Sequence, residues 1–304
     1  MQNEQNPNEF RRLNPRLDFN FKGIFTQDRP ESRIALKSFL SAMTGEEVTE
    51  VTVTENELAI QYEKQRGIRY DINCMFADGT RAQIEMQGYD RNCDYGRRAE
   101  YYVSRLVSSL VAVRGKWKDL PRAYQISVMN FMYDASNKAP LHHYVMTDRT
   151  DGATLEGVIN VIFLELPKLP PVNEDTDIES LSTAVKWGTF ISEADNPDKR
   201  ELIDRLTKSE EGIMSADAML KSLSDESWRW IEQGRIEGDE RDRISGLYNA
   251  EQRGIRSGKQ DDARNALAMG LSLSQVSQIT GLPVEDIRAL AAEPEKAPSA
   301  PVEV

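Results

Sequence analysis

Asp71, Glu85 and Gln87 are the residues of this 304-residue chain best suited to chemistry. They lie in IRYDINCMFADGTRAQIEMQ, residues 68–87, where apolar and polar positions alternate along two arms around Asp78-Gly79. Alternation with period two marks strands, and Asp-Gly between two such runs marks a hairpin. A three-residue loop, Ala77-Asp78-Gly79, puts glycine where a left-handed backbone is needed and pairs Phe76 with Thr80. That register sets Asp71 opposite Glu85 and Arg69 opposite Gln87. One face then collects Ile72, Cys74, Phe76, Ala82, Ile84 and Met86, and the other Asp71, Asn73, Gln83, Glu85 and Gln87. A two-residue Asp78-Gly79 turn would pair Asp71 with Met86 and scatter the apolar set over both faces. The patterning selects the longer loop.

Two carboxylates facing each other across a hairpin repel, and a cation between them relieves the repulsion. Carboxylate oxygens suit Mg²⁺ or Mn²⁺, and Mg²⁺ commonly takes one or two protein carboxylates with water and substrate phosphate. Such an ion polarises a scissile phosphate and lowers the pKa of a bound water, which is chemistry for phosphodiester hydrolysis. Asp71 and Glu85 are the expected ligands. Gln87 points the same way as Glu85 and can hold either the attacking water or a phosphoryl oxygen. The bland alternative is a pair of solvated charges on a sheet surface.

The elements that must position these groups follow from periodicity. Glu31–Met43 carries Ile34, Leu36, Phe39, Leu40 and Met43 at helical spacing and stops before Gly45. Residues 48–62, rich in Val, Thr and Ile, give one or two strands, and the hairpin follows. From Asn92 to Val113, Tyr95, Ala99, Tyr102, Leu106, Leu110 and Val113 form a helical stripe. Tyr124–Tyr133 and Val158–Leu166 are further strands, the second closed by Pro167. Helix, strand, hairpin, helix, strand describes a mixed α/β sheet with helices packed against it. Pro167–Asp177 is a composition break, after which the pattern is helical only.

Charge is unevenly spread. The net charge is −12, yet residues 1–135 hold as many basic as acidic residues, so the whole excess falls in 136–304. Residues 91–122 are locally basic, with Arg91, Arg97, Arg98, Arg105, Arg114, Lys116, Lys118 and Arg122, a surface able to attract a polyanion. No stretch approaches the roughly 18 apolar residues of a membrane span. The N-terminal residues lack an apolar signal core, and two cysteines make no disulfide framework, so a cytoplasmic location is expected. Cys74, on the apolar face of its strand, reads as a small buried hydrophobe. His142-His143 sits between the expected strands without nearby Cys or patterned carboxylates, and reads as structural.

Several segments together resemble the PD-(D/E)XK nuclease family transposases, also called recombination-promoting nucleases. Asp18-Phe19-Asn20-Phe21-Lys22 with Ile24-Phe25 is similar to that family's opening D-x-x-F-K-x-(I/V)-F. Ser38-Phe39-Leu40-Ser41-Ala42 is similar to its S-F-L-N-A helix. Asp71, Asp78-Gly79 and Ile84-Glu85-Met86-Gln87 follow its D…D-G…I-E-M-Q, and Arg98–Ser104 its R-A-x-Y-Y-x-S. The resemblance runs from about Asp18 to Leu166. It implies a restriction-endonuclease-like core and a Mg²⁺-dependent deoxyribonuclease (Mn²⁺ being the other candidate) with DNA as partner. Asp71 and Glu85 would be metal ligands, and Gln87 would fill the usual lysine slot. A neutral amide brings no positive charge to a transition state, so another cation is needed, with Lys22 and Arg98 the candidates. Their bland readings are a surface lysine and a helix salt bridge. Glu57 is a weaker candidate for a third acidic ligand. Arg97, Arg98, Tyr101 and Arg105 are the expected DNA-contacting residues.

The expected division is a polar leader at 1–17, the nuclease-like domain at 18–167 and a linker with helices at 168–225. A charged helical segment at 226–264, a small helix-turn-helix-like module at 265–291 and a disordered tail at 292–304 follow. In the module, Ser272 and Gln275 can form a capping box, Thr280-Gly281 a turn, and Pro283 the start of a last helix. Glu285 and Asp286 outweigh Arg288 there, which favours packing or protein contacts, such as homo-oligomer formation through the C-terminal helices, over DNA reading. The second functional reading is a non-catalytic DNA-binding or regulatory protein on a nuclease scaffold, its acidic C-terminal half shielding the basic helix.

Overall fold

The computed structural model describes residues 12–55, 57–58, 68–88, 95–110 and 116–292; for 57–58, 68–69, 241–253, 256 and 292 the description is of the backbone alone. The chain divides into two compact units, Met1–Gln233 and Gly234–Val304. In the first unit, α1 (Asp18–Thr26) and α2 (Pro30–Thr44) precede a run of strands: β1 (Val51–Thr54), β2 (Glu57–Leu58), β3 (Ile68–Arg69), β4 (Ile72–Phe76) and β5 (Arg81–Gln87). Helix α3 (Tyr95–Leu110), β6 (Ala123–Met129), β7 (Leu141–Val145) and β8 (Ile159–Glu165) complete the sheet region. Then come α4 (Thr183–Glu193), α5 (Arg200–Ser209), α6 (Glu211–Ser224) and α7 (Ser227–Ala268). Proline at the first position of α2 and Gly45 in the left-handed region just after it fix both its ends.

Six strands form one mixed sheet in the order β1-β4-β5-β6-β8-β7, while β2 and β3 pair separately. β5, β6 and β8 are mutually parallel neighbours, and the other pairs are antiparallel. The hairpin register is the expected one. Ile72 pairs with Ile84 and Cys74 with Ala82, and Phe76 N–H donates to Thr80 O at 2.9 Å across a loop whose Gly79 has φ 87°.

Both faces of the sheet are covered. Ile72, Cys74, Ile84, Ile126, Val128, Ile162 and Leu164 share one core with Phe21, Phe25, Phe39, Trp187, Phe190, Ile213 and Leu220 from the flanking helices. Burying each large apolar side chain there contributes roughly 1.5–3 kcal/mol. On the opposite face, α3 lays Tyr95, Ala99, Val103 and Leu106 over Ala123, Met129, Val161 and Phe163. This is an α/β fold of restriction-endonuclease type, a mixed sheet flanked by helices and followed by further helices. The polar face of the hairpin is therefore not open to water: Asn73, Gln83 and Glu85 are all buried.

The structure adds two elements to the sequence reading. Helix α1, holding Asp18 and Lys22, lies in a stretch with no side-chain cap and a central glycine. His142-His143 lies on a strand, β7, rather than between strands. The strand is a short, half-exposed edge, so its sequence carries little alternation. The composition break at 167–177 does not interrupt packing, because α4, α5 and α6 enter the same core as α1 and α2. A buried Arg12 pairs with Asp217 and Asp204, holding the segment before α1 against α5 and α6.

In the second unit, α7 continues unbroken as one helix to Ala268, followed by α8 (Leu273–Thr280) and α9 (Val284–Ala292). Ser272 and Gln275 form the capping box, and Gly281 ends α8 at φ 68°. Ala263, Ala266, Val276, Leu282, Ile287 and Leu290 make its core. The expected disordered tail lies, from residue 293 onward, outside the described residues.

Candidate active site

Asp71 immediately precedes β4, and Glu85 lies near the carboxyl end of β5, directly across the hairpin. The backbone N–H of Asp71 donates to Glu85 Oε1 at 3.2 Å, and Met86 N–H donates to Asp71 Oδ2 at 2.9 Å. Each carboxylate is thus held by the partner strand's backbone. Gln87, two residues beyond Glu85 on the same face, donates its amide to Glu85 Oε2 at 3.0 Å. Glu85 and Gln87 lie at the carboxyl end of β5, which pairs in parallel with β6, and open α/β sheets usually bind ligands at that end of their strands.

Two cations flank the pair. Lys22, from α1, places Nζ 3.1 Å from Asp71 Oδ1 and 2.8 Å from Asp18 Oδ2. Arg98, from the first turn of α3, places Nη2 3.9 Å from Glu85 Oε2. That separation exceeds a hydrogen bond, so the contact is electrostatic. The Arg98 guanidinium lies 4.6 Å from the Tyr95 ring centre and 5.5 Å from that of Tyr102.

Burial and mutual repulsion dominate the electrostatics. Glu85 is pushed up to about 8, first by burial and then by the Asp71 charge, against the pull of its bond from Asp71 N–H, of Arg98 and of Lys22. Asp71 is also raised, by burial and by Asp18, although Met86 N–H and Lys22 pull it down. Raised carboxylate pairs of this kind cluster at functional sites. The Lys22 ammonium already bridges Asp18 and Asp71, which shows that the pocket favours positive charge. Hard oxygen donors, a raised carboxylate pair and a flanking amide fit a divalent cation of the Mg²⁺ class. Among the described residues no group of three His, Cys, Asp or Glu side chains is arranged to hold a metal ion by itself, so water and substrate would supply the remaining ligands.

The structure thus brings together Asp71, Glu85, Gln87, Lys22 and Arg98. Arg97 and Tyr101, one turn apart, are exposed on α3, whereas Arg98 and Arg105 lie on its half-buried side. Glu57 pairs with Arg69 in the separate β2–β3 ladder, its side chain lying outside the described residues, as do Arg91, Arg114 and Cys93. Cys74 is fully buried and its thiol is pushed up to about 12 by burial. His142 Nε2 lies 3.2 Å from buried Glu165, which Lys168 also contacts at 2.8 Å.

Sequence reasoning gave no role to Asp18 or to Tyr95. Asp18 stands one helical turn before Lys22, a spacing visible in the sequence, but its nearness to Asp71 is tertiary. Tyr95 belongs by its spacing to the apolar stripe of α3, and its hydroxyl donates to Ser127 Oγ at 2.9 Å.

Comparison with known families matches residues 15–250 to the model described as PD-(D/E)XK nuclease family transposase. That span covers well over half of the chain, and the chain belongs to this family. Searches of curated proteins and of solved structures gave no match. Among the described residues no helix is long and apolar enough to cross a membrane.

Proposed function

We propose that this member of the PD-(D/E)XK nuclease transposase family is a metal-dependent DNA endonuclease serving recombination or mobile elements. The observation that carries the reading is the buried Asp71–Glu85 pair, set face to face across the hairpin and flanked by Lys22 and Arg98. Asp71 and Glu85 hold a divalent cation, Mg²⁺ by choice and Mn²⁺ as the substitute. When bound, such an ion would supply Lewis-acid chemistry at the scissile phosphate and lower the pKa of a water.

The chain's own residues do the rest. Gln87, at the mouth of the strand end, orients the water or a phosphoryl oxygen through its amide. Lys22 and Arg98 offer the positive charge that the amide cannot. A preorganised cation aimed at developing negative charge is worth far more in this buried setting than in water. Lys22 is shared by two carboxylates, whereas the looser Arg98 keeps donors for a phosphate. Arg97 and Tyr101, exposed on α3, and Arg105 on the same helix form the approach surface for DNA, the arginines contacting phosphates.

The test is nicking of supercoiled plasmid by purified protein with Mg²⁺, repeated with Asp71→Ala and Glu85→Ala. The expected result is nicking by the wild type and loss in both variants. Equal nicking by all three would mean a contaminant or a wrong site. The second reading, a non-catalytic DNA binder on the same scaffold, is favoured by Gln87 in the lysine position and by Lys22 already paired with Asp71. Under it, the wild type binds DNA but leaves it intact with either Mg²⁺ or Mn²⁺.

A further inference from the structure

We propose that Tyr95 is a positioning residue for Arg98, fixed by a buried polar chain of Gln83, Gln125 and Ser127 that runs from β5 to β6 beneath α3. The proposal rests on the nuclease reading of the Glu85 site and names a part of it that no sequence motif marks. Gln83, Gln125 and Ser127 are fully buried, and Tyr95 is 3% exposed. The donors converge on Ser127. Gln83 Nε2 donates to Gln125 Oε1, and Gln125 Nε2 donates to Ser127 Oγ at 3.1 Å. The Tyr95 hydroxyl donates to the same Ser127 Oγ at 2.9 Å.

The opposite face of these same strands carries an apolar set. Polar residues under a helix cost desolvation and are tolerable only when joined, so this line of amides and hydroxyls calls for a role. Its geometry supplies one. Gln83 is the cross-strand partner of Gln125 and Glu85 that of Ser127, so the chain ends on the residue beside the acidic pair. With its hydroxyl committed to Ser127, Tyr95 presents a fixed ring to the neighbouring cation.

Arg98 follows Tyr95 by three residues, one helical turn, and its guanidinium lies over that ring and near that of Tyr102. Burial pushes the Tyr95 phenol up, while the bond to Ser127 and the nearby Arg98 pull against it, which agrees with a guanidinium close to the oxygen. Among the described residues, the buried Arg98 Nε finds no acceptor. The guanidinium is therefore held in place by rings, with Nη donors left over beside Glu85.

The experiment compares full-length wild type with Tyr95→Phe, Ser127→Ala, Arg98→Ala and the double variant Tyr95→Phe/Arg98→Ala. Three quantities are read: single-turnover plasmid nicking with Mg²⁺, affinity for a DNA duplex in EDTA, and hydrogen exchange of the Arg98 Nε–H by NMR. Tyr95→Phe keeps the ring and loses only the hydroxyl. It is expected to slow nicking on the order of 10-fold, with affinity in EDTA changed less than about 2-fold. Ser127→Ala is expected to behave alike, which keeps the test available if the tyrosine variant folds badly. In the Arg98→Ala background the Tyr95→Phe change is expected to have no further effect, because Tyr95 acts only through Arg98. Exchange of Arg98 Nε–H should speed up on the order of 10-fold in Tyr95→Phe. Full additivity of Tyr95→Phe with Arg98→Ala, or unchanged exchange, would overturn the proposal. Should the wild type not nick DNA, the nuclease reading fails by itself, and the exchange rates still decide whether Tyr95 holds Arg98.

Discussion

Without a cation, Asp71 and Glu85 oppose each other in a buried setting, and the cost appears as a proton retained by the folded state. Glu85 rises from an ordinary 4.5 to about 8. Its folded pKa lies above its unfolded one, so between those values the native state binds more protons than the unfolded state. Stability from this group is fully present below about pH 4.5 and is lost as pH rises through about 8. Metal-free protein in EDTA should therefore lose stability over this window beyond what Glu85→Gln loses, read as urea midpoints at successive pH values. Mg²⁺ should offset the loss in the wild type alone. The same substitution separates stability from activity. Glu85→Gln removes a buried charge facing Asp71 and should raise metal-free stability at pH 8 by about 1 kcal/mol, because its carbonyl can still accept from Asp71 N–H. It should also lower cleavage by on the order of 10³-fold. A variant that is more stable yet inactive marks a site strained for function.

Helices α2 and α6 meet at a point where only glycine fits. A Cβ on Gly212 would lie 2.1 Å from Cβ of Ser38, whose hydroxyl also accepts from Trp187 Nε1 at 3.1 Å and donates to Glu210 at 3.0 Å. Alanine would gain up to about 1 kcal/mol of helix propensity. Overpacking costs about 1–3 kcal/mol and wins because the clash is with a Cβ, which cannot rotate away. Gly212→Ala should lower the melting temperature by about 2–6 °C, with cleavage per folded molecule unchanged. Other elements differed in how far their sequence disclosed them. The β4–β5 hairpin was legible because a one-residue slip would have mixed its two faces, so Asp71 and Glu85 could be placed across from each other from pattern alone. The α3 stripe was legible as a helix, but which face of the sheet it covers depends on chain crossover, so the burial of Glu85 and Gln83 was not. Helix α1 and edge strand β7 lack strong local signals, and Asp18 and Tyr95 reach the site only through tertiary packing. The supporting shell was hidden in residues that read as ordinary apolar or polar surface.

For the whole molecule, the acidic surplus and the helical C-terminal part must be separated. Shielding of the basic helix by everything after 167 would be tested by deleting 168–304, but that deletion removes Trp187, Phe190, Ile213 and Leu220 from the main core. Such a chain would lose stability for packing reasons alone. The physical cut lies later. Arg229 donates to Phe19 O at 2.9 Å, Trp230 to Ser224 O at 2.9 Å, and Gln233 accepts from Asn14 N–H at 3.1 Å, so α7 belongs to the first unit up to Gln233. A chain ending at Glu240 keeps about two turns beyond Gln233 to stop fraying there. Residues 241–304 carry almost as many basic as acidic residues, so their removal scarcely changes the net charge of −12. The 1–240 protein should therefore unfold within a few degrees of the first transition of the full chain. Its DNA affinity should stay within about 3-fold, with the same slope against salt, because the slope counts phosphates neutralised and α3 is untouched. Tighter binding by 10-fold or more, measured by fluorescence anisotropy across a salt series, would instead assign the C-terminal unit a steric rather than electrostatic brake.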